Sequence, residues 1–194
     1  MIISKTFKAD IAHIVITQIL PMNFRCKCKN LHGHTIHITA ELKGSINDKT
    51  RMIIDYTLLK PFKDFIDTFI DHKFIAPLHM ENEFDIFVQA FNSFYKKYGN
   101  CITWKDTQDG LQYKHDNRVF AKIKSTMSFL DTPSTTAEDM CCFLNDVLQA
   151  TLKHTIKQYK LNDLVESETI STRIRFSETV GSEAISPWKP LMTK

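Results

Sequence analysis

The sequence is poor in the residues that loosen a chain. Five glycines and six prolines stand against fourteen phenylalanines in 194 residues. Disordered and fibrous chains have the opposite balance, so a packed domain is expected. No apolar run approaches the roughly 20 residues that a bilayer-spanning helix needs. The first residues, MIISKTFKADIAH, have neither the charged head nor the continuous apolar stretch of a secretory signal. Charge of one sign is missing too: 25 Lys and Arg against 22 Asp and Glu leave a net +3. That is too balanced for a dedicated nucleic-acid or polybasic membrane binder, and neither partner is expected. The cysteines number five, an odd count without framework spacing, which points to a reducing, cytoplasmic compartment.

What is present reads as one domain. Residues 2–16 alternate, with Phe7, Ala9, Ile11, His13 and Val15 on one face of a strand. Residues 31–43 alternate again, with Ile36, Ile38, Ala40 and Leu42 on one face and Thr35, His37, Thr39 and Glu41 on the other. The two strands pair as a long hairpin. Residues 57–70 change to helical period, with Thr57 as the expected cap and Pro61 in the first turn. A second helix is expected over about 136–157, with Met140, Phe143, Leu144, Val147, Leu148 and Leu152 as its stripe. Strands follow at 168–178 and after Gly181, through about Ile185. Strand–strand–helix–helix–strand–strand is an α+β pattern: a four-stranded antiparallel sheet with two helices on one face. Residues 76–131 are extra. They predict a helix around 84–98 and a hairpin-like segment (101–105, 111–115, 118–125) around Asp109-Gly110.

The sharpest local feature is His32-Gly33-His34. Residues i and i+2 of a strand share a side, and counting back from Ile36 puts both imidazoles on the inward face. His13 is inward on the neighbouring strand. One such histidine is ordinarily a hydrogen-bonded core residue. Three from adjacent strands can converge on one Zn²⁺ and leave a fourth position open, as catalytic zinc sites do. Cys26-Lys27-Cys28 lies just upstream, where Arg25, Lys27 and Lys29 favour a thiolate; two inert thiols in a basic loop would look the same. Asp71-His72 closes the first helix and can form an oriented carboxylate–imidazole pair. Glu178 continues the inward face of Ile174 and Phe176, where a carboxylate is costly unless paired. It either reaches water at the strand end or meets a ligand with an amidine-like edge. Thr135 and Glu138 fit a capping box for the second helix, a structural role sufficient for Glu138.

Together these residues resemble the 6-pyruvoyl-tetrahydropterin synthase / 6-carboxytetrahydropterin synthase family. The likeness lies in ordered blocks: Asp10-Ile11-Ala12-His13; Cys28-Lys29-Asn30-Leu31-His32-Gly33-His34; Met52-Ile53-Ile54-Asp55-Tyr56 with Leu59-Lys60; Ile70-Asp71-His72; and Thr136-Ala137-Glu138 followed by Ser177-Glu178-Thr179. The resemblance implies the tunnelling fold and a homohexamer with sites at subunit interfaces. It implies zinc on His13, His32 and His34, and a cysteine base partnered by Asp71 and His72. Glu178 and Thr136 would bind the pterin. Cys28, four residues before the first histidine of His-Gly-His, matches the carboxy branch of queuosine biosynthesis; Cys26, six before, is the alternative and matches the pyruvoyl branch. The implied reaction is conversion of 7,8-dihydroneopterin triphosphate to 6-carboxytetrahydropterin, acetaldehyde and triphosphate, with Arg25, Lys27 and Lys29 as candidate triphosphate contacts. A pyruvoyl-type triphosphate elimination and a non-catalytic pterin-binding homologue are the competing readings. Two departures stand out. The stretch from His72 to Thr136 is far longer than the family pattern needs, and Thr135 stands where the carboxy branch usually has Pro.

Overall fold

The structure, a computed structural model, describes residues 1–15, 27–82, 111–124 and 127–191. The expected helix around 84–98, the 101–105 segment and the Asp109-Gly110 turn lie outside the described residues, as do Arg25 and Cys26.

The alternating segments are strands. β1 (Ile2–His13) and β2 (His32–Lys43) pair antiparallel along their whole length, from Ile2 opposite Lys43 to His13 opposite His32. β7 (Ser171–Thr179) pairs with β2, and β8 (Ser182–Ile185) with β7, also antiparallel. These four are the expected quartet. The sheet does not stop there. β3 (Lys73–Pro77) runs parallel to the end of β1 through Ile11, Ala12 and His13. β6 (Met127–Leu130) runs parallel to β3, and β5 (Arg118–Lys124) and β4 (Gln112–His115) continue outward antiparallel. β9 (Lys189–Pro190) pairs with the start of β7. Among the described residues the result is a nine-stranded mixed sheet of order β4-β5-β6-β3-β1-β2-β7-β8, with β9 off that path. The α+β class stands, and the four-stranded, all-antiparallel expectation is corrected. The insertion supplies strands to the β3 edge, and β3 is too short to show a period in sequence. The β4–β5 hairpin turns at Asp116-Asn117, with Asp116 at φ 51°, between the expected 111–115 and 118–125 segments.

Both expected helices are present: α1 (Lys60–Phe69) and α2 (Ala137–Gln158). Their caps differ from expectation. Ahead of α1, Tyr56–Leu59 forms a 3-10 turn capped by Asp55, whose Oδ1 accepts the Thr57 N–H and hydroxyl, each at 2.8 Å. A carboxylate two residues before the expected cap outcompetes Thr57, which acts as a donor. At α2 the cap is Thr136, whose Oγ1 accepts the Asp139 N–H at 3.4 Å. The Thr135–Glu138 box is therefore shifted by one residue, because the Thr135 hydroxyl is engaged elsewhere.

The helices lie on the inward face of the sheet. Phe62, Phe65, Ile66, Leu144, Val147, Leu148 and Leu152 bury against Ile36, Ile38, Leu42, Ile174 and Phe176. Each such side chain contributes about 1.5–3 kcal/mol by leaving water. One polar tie crosses this layer: Thr172 donates its hydroxyl to Asn145 Oδ1 at 2.7 Å, and Asn145 Nδ2 donates to the Thr172 and Pro187 carbonyls. The other face of the sheet carries a small apolar cluster on β3 and β6 (Ala76, Met127 and Phe129) and is polar along β2 and β7. There Glu41 accepts from Arg173 and, at 3.2 Å, from Arg175, so both arginines point away from Glu178 as alternation requires.

Candidate active site and metal centre

The register of β1 and β2 builds the centre of the site. His13 ends β1 opposite His32, and His34 lies two residues along β2 on the same face. The three rings gather with centroids 4.6 Å (His13–His32), 4.8 Å (His32–His34) and 5.3 Å (His13–His34) apart. Each offers one ring nitrogen, and the three lie within 4.8 Å of one another. Gly33 keeps β2 close to β1: a Cβ there would stand 3.1 Å from the Ile11 carbonyl oxygen.

Second partners orient two of the rings. His13 Nδ1 donates to the Thr135 carbonyl at 3.0 Å, and His32 Nδ1 donates to the Asn30 carbonyl at 2.7 Å. These bonds turn Nε2 of each ring toward the cluster, the arrangement metal-ligating histidines use. Nε2 of His13 is buried and has no hydrogen-bond partner. Burial, followed by the neighbouring His32 and His34, lowers the His13 pKa to about 4, so the imidazole is neutral near pH 7 and has its lone pair available. His34 is lowered by the same two causes, burial and His32. A crowded imidazole trio with an orphaned buried nitrogen fits a metal ion and is poorly explained as core packing.

Two of the three rings open onto a cleft of about 420 Å³. His13 and His32 line it together with Cys28, Thr136, Glu138 and Glu178. Cys28 sits in a 3-10 turn, Lys27–Lys29, and is half-buried. The turn is fixed to the end of β1 by the Val15 N–H, which donates to the Cys28 carbonyl at 2.9 Å. Lys27 is exposed on the same turn. Glu178 Oε1 is buried without a hydrogen-bond partner, and lies 3.9 Å from His13 Nε2. Burial raises the Glu178 pKa, His32 opposes the rise and Glu138 adds to it. The side chain is partly exposed, 22%, so water reaches part of it, but Oε1 is held away from solvent on the cleft side.

Asp71 and His72 are not brought to this cleft within the chain. Asp71 Oδ1 accepts the Asp10 N–H at 2.8 Å, its Oδ2 meets His72 Nδ1 at 2.8 Å, and the His72 N–H donates to the Asp10 carbonyl at 2.7 Å. Asp10 in turn accepts the Thr35 hydroxyl at 2.5 Å. Asp10 and Thr35 belong to the polar face of the sheet, opposite the imidazoles. The Asp–His pair is thus a formed dyad, with an exposed imidazole, on the other side of the sheet.

Two features of the site escaped sequence reasoning. A bulge between Ser177 and Thr179 breaks the β7–β8 register beside Glu178, and the following hairpin (Gly181, Ser182, Glu183, Ala184) forms one wall of the cleft. Glu138 is the second. Thr136 and Asp139 form the cap, so Glu138 does not take the capping-box place expected for it, and it lines the cleft. The signal was available: Thr136 and Asp139 have the same three-residue spacing as Thr135 and Glu138.

The model of the family described as 6-pyruvoyl tetrahydropterin synthase matches residues 2–179. The chain is 30% identical over 148 residues to the 6-carboxy-5,6,7,8-tetrahydropterin synthase of Haemophilus influenzae, a match that covers 70% of this chain and 96% of the relative. Among solved structures, a protein of Wolinella succinogenes superposes with a TM-score of 0.61 at 19% identity, covering 96% of this chain and 97% of that one. The 6-pyruvoyl tetrahydropterin synthase of Plasmodium falciparum superposes with a TM-score of 0.50 at 18% identity, covering 96% of each chain. At these identities the two structures speak for the fold.

Proposed function

The chain belongs to the 6-pyruvoyl tetrahydropterin synthase family, and on that premise we propose that it is a 6-carboxy-5,6,7,8-tetrahydropterin synthase. In this reading it is a zinc-dependent carbon–carbon lyase of queuosine biosynthesis. It converts 7,8-dihydroneopterin triphosphate and one water to 6-carboxytetrahydropterin, acetaldehyde and triphosphate. The observation that carries the reading is the convergence of three imidazoles, the Cys28 side and an unpaired buried carboxylate on one cleft.

His13, His32 and His34 hold the zinc, which when bound supplies Lewis-acid polarisation of the substrate's side-chain oxygens. Glu178 binds and orients the pterin: its carboxylate accepts the two parallel N–H groups of the 2-amino-pyrimidinone edge. Thr136 lines the same cleft and contacts the ring. Cys28, as thiolate, takes a proton from the substrate side chain. His72, oriented by Asp71, exchanges protons on the opposite face of the substrate. Because the dyad lies across the sheet from its own cleft, it serves the cleft of a neighbouring copy, and the working form is a homo-oligomer, a hexamer in this reading. Lys27, with Arg25 and Lys29, receives the triphosphate. No helix among the described residues is long and apolar enough to cross a membrane; a cytoplasmic location is part of the proposal.

Incubation with 7,8-dihydroneopterin triphosphate and mass spectrometry of the products tests this directly. Acetaldehyde with 6-carboxytetrahydropterin is the expected result, lost in Cys28→Ala. Triphosphate release without acetaldehyde, dependent on Cys26, would establish the pyruvoyl reaction instead. Pterin binding without turnover would leave a non-catalytic homologue.

A further inference from the structure

Thr135 makes two hydrogen bonds that no capping role requires. Its carbonyl accepts His13 Nδ1–H at 3.0 Å, and its hydroxyl donates to the Ile14 carbonyl at 3.1 Å. Thr135 is 2% exposed and His13 1%. Both bonds join the segment before α2 to the end of β1, 121 residues away for the hydroxyl bond.

We infer that Thr135 is a positioning residue, whose hydroxyl bond to Ile14 holds its own carbonyl against His13 and so fixes the imidazole nitrogen that faces the cleft. A carbonyl is an acceptor only, so the bond places the ring proton on Nδ1 and leaves Nε2 a lone pair. That Nε2 is the buried, unpartnered atom of the cleft. Without an anchor the carbonyl would be free to turn with its loop, and the ring would lose the partner that selects its tautomer. The hydroxyl is the anchor, because β1 ends at His13 and Ile14 lies just beyond the strand. The next residues of the same segment, Thr136, Ala137 and Glu138, line the cleft. One side chain therefore locks an imidazole and the substrate-facing start of α2 into a single frame.

The consequence for metal affinity rests on the reading that the imidazole trio holds zinc; the consequence for the tautomer does not. The test uses ¹⁵N-histidine spectra of the metal-free protein and zinc titrations against a competing chelator, on wild type, Thr135→Val and Thr135→Ser. Wild type is expected to show His13 wholly as the Nδ1–H form. Thr135→Val is expected to show both tautomers and to hold zinc about tenfold more weakly, the lower end of what outer partners of metal ligands contribute. Thr135→Ser keeps the hydroxyl and is expected to restore both. An Nε2–H tautomer in wild type would overturn the inference without any variant. So would Thr135→Val with wild-type tautomer and affinity, even if its melting temperature fell, since that is the signature of packing alone. A wild type that binds no zinc would instead defeat the metal reading, while the tautomer measurement still decides the role of Thr135.

Discussion

Glu178 Oε1 stands 3.9 Å from His13 Nε2, and both atoms are buried without a hydrogen-bond partner. A buried unsatisfied polar group costs about 1–3 kcal/mol. Two of them facing one opening are a cost the fold bears without return unless something enters between them. Their chemistry differs. The imidazole offers a lone pair to a Lewis acid, whereas the carboxylate accepts N–H donors. One metal and one nitrogen-rich organic edge satisfy both, and the cleft has room for both.

Glu178→Gln is therefore expected to separate stability from binding. Replacing an unpaired buried carboxyl by an amide leaves the melting temperature unchanged or raises it. The bidentate, charge-assisted contact is lost, so affinity for a pterin ligand falls roughly 100-fold, about 3 kcal/mol. Calorimetric titration beside a thermal melt checks this. A variant that binds pterin as wild type does would remove Glu178 from the binding role.

The protein purified without chelator is expected to carry about one zinc per chain by elemental analysis. Metal bound only by the native state adds about 2.7 kcal/mol of stability at a free concentration one hundred times its dissociation constant. Chelation should lower the melting temperature accordingly, and zinc should restore it. His34→Ala should abolish the metal and the metal-dependent part of the shift together.

Much of this was legible because the strands are long and one face of them is buried. Alternation through Phe7, Ala9, Ile11 and His13 sets the face of His13, and the same argument from Ile36 sets His32 and His34; the register then had only to bring two strand ends together. The period of α2 was equally plain. Local competition was harder to read. Asp55 displaced Thr57 as a cap, and Thr135 gave up capping to bond Ile14, both decided by partners that sequence spacing does not reveal. The bulge beside Glu178 depends on a register shift between two strands. β3 escaped notice because five residues ending in proline carry no period, yet it is the strand through which the insertion joins the sheet.

Asp71 provides a pH signature. Burial works against its ionised form, but the N–H of Asp10 and the ring, charge and backbone of His72 outweigh it and hold the carboxyl below the ordinary carboxylate range. Since the folded pKa is depressed, the unfolded chain binds the proton first. The stabilisation is complete above the unfolded Asp value and is lost as pH falls through the folded one. The gap in denaturation midpoint between wild type and Asp71→Asn should be constant from neutral pH down to the ordinary Asp range and close below it. A gap that does not change across that range would mean that the Asp71–His72 and Asp71–Asp10 bonds contribute nothing to folding.

The position of the dyad makes a sharper prediction about assembly. Asp71 and His72 gather with the Asp10 carboxylate on the polar side of β1, while the cleft is lined by Cys28, His13 and His32 and by neither member of the dyad. His72→Ala and Cys28→Ala should each lose about 10²–10⁴ of the rate, the usual worth of a positioned acid or base. If the dyad of one copy serves the cleft of the next, the two inactive proteins complement each other. Unfolded together and refolded as mixed oligomers, they form some clefts with an intact cysteine from one chain and an intact imidazole from the other, and activity returns. Refolded separately and mixed afterwards, they remain inactive. Failure of the co-refolded mixture, with both variants shown to assemble as wild type does, would mean that cysteine and imidazole must come from one chain, and the dyad would have to be removed from the chemistry.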